Sequence, residues 1–227
     1  MNTVKKYFCS SIGRKQIVAL TSLALIVFVI VHLAGNLFIF LGAEAFNHYA
    51  ASLAQLRPGL YIAEAILLIL FLIHIVFTAT LVIENRKARK NRYALQPACS
   101  EATRSWSTRL MPLTGTVILI FIITHLLDFT FADHEGSRSL LFGESMGLYG
   151  VVVNSFRDIL HSSYYILAMF CISSHLIHGV ESFFQTFGLN HTRYTPLIKK
   201  MSVLFGLAIA FGYSSIPVYV IIKFGTI

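Results

Sequence analysis

Five stretches of the chain, at roughly residues 16–43, 59–83, 110–132, 159–181 and 201–222, are apolar over about twenty positions or more, with scarcely a charge inside them. A bilayer core about 30 Å thick takes roughly 20 apolar residues of helix to cross, so each stretch is long enough for one crossing. With 56% of its 227 residues hydrophobic and 12% charged, the chain holds more apolar surface than a soluble core could hide. The expected fold is an all-α integral membrane protein. It forms one membrane domain over 1–227, a bundle of five transmembrane helices whose last two members run over 159–187 and 197–223. The first stretch lacks a small-residue cleavage site and exceeds signal-peptide length, so a retained helix is expected there.

A formal net charge of +8 raises the question of a nucleic-acid partner, and its distribution argues against one. Fourteen of the 18 basic residues precede helix one or lie between helices two and three or four and five, among them Arg14, Lys15, Arg86, Arg104, Arg109 and Lys199. On the other side fall Arg57, Arg138, Arg157 and Lys223. The positive-inside rule then puts the N terminus in the cytoplasm and the C terminus outside. Basic loops at that face suit water, anionic lipid or the docking of a cytoplasmic partner. Trp106, in the polar connection after helix two, is placed as an interfacial anchor.

Four histidines, His32, His74, His125 and His175, lie one in each of the first four apolar stretches. Ionisable groups at bilayer depth are costly and mark redox, proton or ion pathways. Helices one and three run from inside to outside, two and four from outside to inside. His32 is fifteen residues beyond Ile17 and His125 sixteen beyond Arg109, so both lie near the outer leaflet. His74 is fifteen past Gly59 and His175 sixteen past Ile159, in descending helices, so both lie near the inner leaflet. At 1.5 Å per residue the two levels differ by ~15 Å. Imidazole pairs facing each other between helices are axial ligands for haem iron, and two axial imidazoles close the iron to oxygen, which favours electron transfer. Two stacked haems are therefore expected, the distal one on His32 and His125 and the proximal one on His74 and His175.

Cys9, Cys99 and Cys171 form no metal or disulfide spacing, and C-x-x-C-H does not occur, so the haems would be held without covalent attachment, as b-type. Gly35 and Gly179, close after His32 and His175, would let a flat ring approach a helix. His178, one turn past His175, is either a polar neighbour or the alternative ligand. His48, His134 and His191 fall in expected loops, exposed to solvent, and helix five, without charge or histidine, reads as packing filler. A weak repeat joins helices one and three: Leu20-Thr21-Ser22 precedes His32-Leu33 as Leu113-Thr114-Gly115 precedes His125-Leu126. Threonine leads histidine by eleven residues in both, about three turns, so the two side chains face one way. The competing readings of the histidines are hydrogen-bonding between helices and a proton or ion relay in a haem-free transporter.

The segments His32-Leu33-Ala34-Gly35-Asn36-Leu37, Glu84-Asn85-Arg86-Lys87-Ala88-Arg89 and His175-Leu176-Ile177-His178-Gly179-Val180-Glu181-Ser182-Phe183-Phe184-Gln185-Thr186-Phe187-Gly188 resemble a known family. It is the dihaem cytochrome b membrane anchor, five-helix single-chain type, of succinate:quinone oxidoreductases, including menaquinol:fumarate reductases. The likeness covers about residues 12–222. It implies two haem b, with His74 and His175 at the proximal haem and His32 and His125 at the distal one. It favours His175 over His178, since histidine, three residues, then glycine matches His175 and Gly179. It also implies menaquinone or menaquinol as substrate, a bacterial cytoplasmic (inner) membrane location, and flavoprotein and iron–sulfur subunits on the cytoplasmic face. Membrane lipid is a further partner, nucleic acid is not, and the heterotrimers can pair as dimers. Dicarboxylate chemistry belongs to the flavoprotein. Some dihaem fumarate reductases carry a proton-conducting glutamate two residues before the helix-four ligand; here Ser173 stands there. Quinone chemistry needs titratable groups near a haem edge, and Glu64 and Asp128 are the acids in the outer halves of the helices, with His161 at the mouth of helix four. The alternative reading within this class is a cytochrome b subunit of another membrane dehydrogenase.

Overall fold

The computed structural model describes Tyr7, residues 10–88 and residues 106–227. Cys9, Cys99 and the basic residues Lys5, Lys6, Arg89, Lys90, Arg92 and Arg104 lie outside the described residues, and so do the side chains of Trp106 and Arg109. Five helices among the described residues are long and apolar enough to cross a membrane, and the chain is an all-α membrane helical bundle.

Helix α1, Ser11–Asn36, begins ahead of its apolar stretch because Ser10 caps it: the Ser10 hydroxyl oxygen accepts the Gly13 N–H at 3.0 Å. A 3-10 turn, Leu37–Leu41, prolongs it until Gly42, at φ 97°, breaks the helical backbone. The next segment is mostly helix, α2 (Ala43–Gln55), and leads to α3 (Gly59–Ala88). Helix α4 (Trp106–His125) widens into a π-helical turn, Leu126–Thr130. A two-stranded hairpin follows, β1 Leu140–Leu141 against β2 Glu144–Ser145, closed by Phe142 (φ 56°) and Gly143 (φ 89°). Two positive φ values in a two-residue loop are the type I′ geometry that matches strand twist. Helix α5 (Gly147–Arg157) then runs into α6 (Ile159–Thr186), whose start is capped by the Asp158 carboxylate accepting from the N–H groups of Leu160 and His161. Helix α7, Thr195–Phe224, completes the chain with a proline in its first turn, where the missing N–H costs nothing.

Arg14 of α1 and Glu84 of α3 form an ion pair at 2.5 Å, tying together the end of the bundle that carries the basic connections. The opposite, far end holds most of the described core. There Phe46, Phe121, Tyr149, Phe156, Tyr165 and Val220 pack together. Asn47 joins the two far-end helices, donating to the Met146 carbonyl at 2.9 Å and accepting the Tyr149 N–H at 3.1 Å. Residues 133–158 contribute to this core through α5. Tyr149, Val151, Val152, Val153 and Phe156 of α5 are all buried, because α2, α6 and α7 cover it on several sides.

The transmembrane helices follow one another around the bundle as α3, α1, α6, α4, with α7 behind α1 and α6. Helices α1 and α4 scarcely approach each other through their backbones, and neither do α3 and α6. Helix α7 is the most closely packed of the five: 33% of its most apolar segment is buried, against 0% for α3, whose apolar side chains turn outward as lipid-facing ones do. Small residues make that seam. A Cβ on Gly206 would lie 2.5 Å from Ile177 Cγ1 and 3.0 Å from the Ser173 carbonyl oxygen, and one on Gly212 would lie 2.8 Å from Leu33. Close approach through glycine is how helices gain dispersion contact in lipid, where no hydrophobic drive separates protein from solvent. Tyr213 adds a polar tie, donating its hydroxyl to the Val29 carbonyl of α1 at 2.8 Å.

Candidate functional site

Two pairs of imidazoles face each other across the helix spacings that backbone packing does not close. Near the basic end, His74 of α3 faces His175 of α6, ring centroids 6.5 Å apart at an interplanar angle of 67°. Toward the far end, His32 of α1 faces His125 of α4 at 5.8 Å and 88°. All four rings are half-buried. The ring opposite His74 is that of His175, while His178 lies one turn further along α6.

The two levels are separated by a distance that the helices themselves measure. Thr21 Oγ1 lies 3.3 Å from His74 Nδ1, and Thr114 Oγ1 lies 3.2 Å from His175 Nδ1. Each threonine stands eleven residues before the far-level histidine on its own helix, His32 or His125. Eleven residues of helix rise ~16 Å.

The surroundings of the pairs differ. At the basic-end level every Nδ1 has an oxygen beside it: Thr21 and Ser22 (3.4 Å) at His74, Thr114 at His175. At the far level the rings meet aromatics instead. His32 stacks on Phe28 at 5.3 Å and lies 6.1 Å from Tyr213. His125 sits among Phe121, Phe129 and Tyr165, and its buried Nδ1 has no hydrogen-bond partner.

These residues would suit a metal ion carried in a flat macrocycle. An imidazole nitrogen bonds a first-row metal ion at about 2 Å, which sets the centroids of two axial rings on one ion roughly 6 Å apart. Among the described residues no group of three or more His, Cys, Asp or Glu side chains could hold a bare ion. A pair of imidazoles alone suits a metal whose other donors come from a ring such as haem. Gly179 leaves nothing within 4 Å of where a Cβ would stand, in keeping with room for a flat group, whereas the space at Gly35 is taken by the Tyr49 ring. The reading of Gly35 as a ring-approach position is corrected accordingly: a far-end aromatic from α2 fills it. Gly115 lies beside His175, where a Cβ would be 3.5 Å from its Cε1.

Beside the far pair lies a polar cluster. Tyr165 donates its hydroxyl to Asp128 Oδ2 at 2.7 Å, and His161 Nε2 stands 3.5 Å from the same oxygen without hydrogen-bond geometry. The rings of His161 and Tyr165 are 4.6 Å apart. Asp128 reaches this position from the π turn after α4, and His161 from the first turn of α6. Tyr165 is absent from any reading of acids and histidines alone. The signal that finds it is depth: it precedes His175 by ten residues, which lifts it ~15 Å toward the far level. Glu64 stands outside this cluster. It is exposed on α3, 4.0 Å from Arg57 at the helix entry. Ser173 is buried at the α6–α7 seam, where its carbonyl faces Gly206. Of the remaining histidines, His48 sits on α2 rather than in a loop, His134 is half-buried with Nε2 2.8 Å from the Phe129 carbonyl oxygen, and His191 is exposed.

Against known proteins, the chain is similar to the succinate dehydrogenase cytochrome b558 subunit of Bacillus subtilis (strain 168), 25% identical over 198 residues, which is 87% of this chain and 89% of that one. No family model matches the chain. No solved structure matches it either.

Proposed function

We propose that this chain is the membrane anchor and electron-transfer subunit of a quinone-linked succinate dehydrogenase or fumarate reductase. It holds two b haems, one between His32 and His125 and one between His74 and His175. The observation that carries the reading is the pair of facing imidazole sets at two depths of one bundle, between helices that do not otherwise pack. The likeness to a cytochrome b558 subunit along 87% of the chain supports it independently. When bound, haem supplies reversible one-electron carriage at each level.

The chain's own residues do the rest. His32, His74, His125 and His175 offer ring nitrogens across the helix spacings, and Phe28, Phe121 and Phe129 pack against the far pair. Oxidation of a quinol to a quinone releases two electrons and two protons, so a quinol site needs a group that takes protons near the far level. Asp128 is that group here, its Oδ2 held by the Tyr165 hydroxyl with His161 alongside. Protons accepted there leave by the outer end, with the basic end in the cytoplasm as the charge distribution requires. Menaquinol is the substrate assigned to it. The basic end, closed by Arg14 and Glu84, receives the iron–sulfur and flavoprotein subunits, where the dicarboxylate chemistry takes place.

A reduced-minus-oxidised difference spectrum of the complex purified through a tag on this chain tests the reading. Low-spin b-type bands, with an iron–sulfur and a flavin-bearing subunit in the same particle, are expected. Absence of any haem band from the assembled particle would overturn it and favour a histidine relay.

A further inference from the structure

We propose that Thr114, and with it Thr21, is a positioning residue for the basic-end histidines, holding each ring in one tautomer and one orientation for its haem. The proposal rests on the two-haem reading above and deepens it.

Each threonine hydroxyl has its proton already engaged. Thr114 Oγ1 lies 3.2 Å from the Leu110 carbonyl oxygen and 3.1 Å from that of Met111, and Thr21 Oγ1 lies 2.9 and 3.0 Å from those of Ile17 and Val18. A hydroxyl has one proton and two acceptor lone pairs. With the proton given to its own helix, the oxygen can only accept from the imidazole, so Nδ1 carries the hydrogen and Nε2 keeps its lone pair. Nε2 is thereby the nitrogen ready for iron. Accepting from Nδ1–H also raises the basicity of the ring as a ligand. At the far level no such oxygen faces His125 Nδ1, which is buried without a partner.

The repeat in the sequence acquires a meaning from this. Eleven residues are about three helical turns, so the threonine and the histidine of one helix point the same way at two depths. Helix α1 thus gives a ligand to the far level and an acceptor to the basic-end level, and α4 does the same. Helices α3 and α6 supply the basic-end ligands that those threonines brace. The two braces are unequal. His74 has Ser22 Oγ at 3.4 Å in addition to Thr21, whereas Thr114 is the acceptor for His175.

The test uses the assembled complex with Thr114→Val, Thr114→Ser and Thr21→Val. Haem per chain, the two midpoint potentials and the low-spin EPR signals are read from each. Thr114→Val removes the acceptor at nearly constant volume. A less basic imidazole stabilises ferric iron less, so one potential should rise while the other stays. The expected shift is at least threefold in the reduced-to-oxidised ratio at fixed potential, roughly 30 mV at about 59 mV per tenfold. The corresponding EPR signal should broaden or move as the ring is released. Thr114→Ser should restore both, and Thr21→Val should shift less because His74 keeps Ser22 beside it. Loss of one haem in Thr114→Val with retention in Thr114→Ser supports the same conclusion. Unchanged potentials and signals in Thr114→Val, or haem loss in Thr114→Ser, would overturn the proposal. Failure of the underlying reading is distinct, since the unsubstituted complex would then carry no haem.

Discussion

Asp128, His161 and Tyr165 form a polar cluster beside the far imidazole pair, and they separate two acids that sequence places at similar depth. Asp128 turns inward because the π turn after His125 redirects the backbone, while Glu64 stays on the exposed face of α3 beside Arg57. Depth along a helix is legible from residue count, but the facing of a side chain around the helix needs the neighbours. The same limit applies to Thr21 and Thr114. Their spacing from histidine marks them as a repeat, yet their contacts are to His74 and His175 on other helices, which no single-helix pattern reveals. Asp128→Asn should lower quinol oxidation by roughly 10²-fold or more, the scale of a lost general base. Haem content and viologen-driven fumarate reduction should be retained, and Tyr165→Phe should have a smaller effect in the same direction. Glu64→Gln should turn over quinol normally. Steady-state assays with menaquinol and with reduced viologen check all three, and normal quinol oxidation by Asp128→Asn would move the site elsewhere.

At the scale of elements, the five long apolar helices were legible because twenty uninterrupted apolar residues have few other fates. The connections were not. Helices α2 and α5 are short and mixed in character, and they become helices by closing the far end against α6 and α7. Asn47 carries that closure with bonds to Met146 and Tyr149. Leaving those two backbone groups unpaired costs about 1–3 kcal/mol each. Asn47→Ala should therefore lower the thermal midpoint of the solubilised complex by about 2–4 °C per kcal/mol, read by loss of near-UV circular dichroism. The packing face of α7 was also hidden, since a helix without charge or histidine announces none. Its glycines set it: a methyl on Gly206 meets Ile177 and the Ser173 carbonyl and should cost about 1–3 kcal/mol of overpacking. Gly206→Ala should show as reduced yield of assembled complex, whereas Gly188→Ser, in the connection beyond α6, meets no atom within 4 Å and is strained only by its φ of 75°.

For the whole molecule, four helices packed in the order α3, α1, α6, α4 present one histidine each, with α7 against α1 and α6 and a core gathered at the far end. The alternation of direction along the chain makes this arrangement economical. Ascending α1 and α4 reach the far level with His32 and His125, and descending α3 and α6 reach the basic-end level with His74 and His175. Each level is then spanned by helices that are next-but-one in the packing order, which is why neither pair is closed by backbone packing. The most direct measurement is haem per polypeptide by pyridine haemochrome on the purified complex, in the parent chain and in His32→Ala, His74→Ala, His125→Ala and His175→Ala variants. Two haems per chain are predicted for the parent and one for each variant. His74→Ala and His175→Ala should lose the same low-spin signal, and His32→Ala and His125→Ala the other. A parent value near zero, or His175→Ala keeping both signals while His178→Ala loses one, would contradict the account.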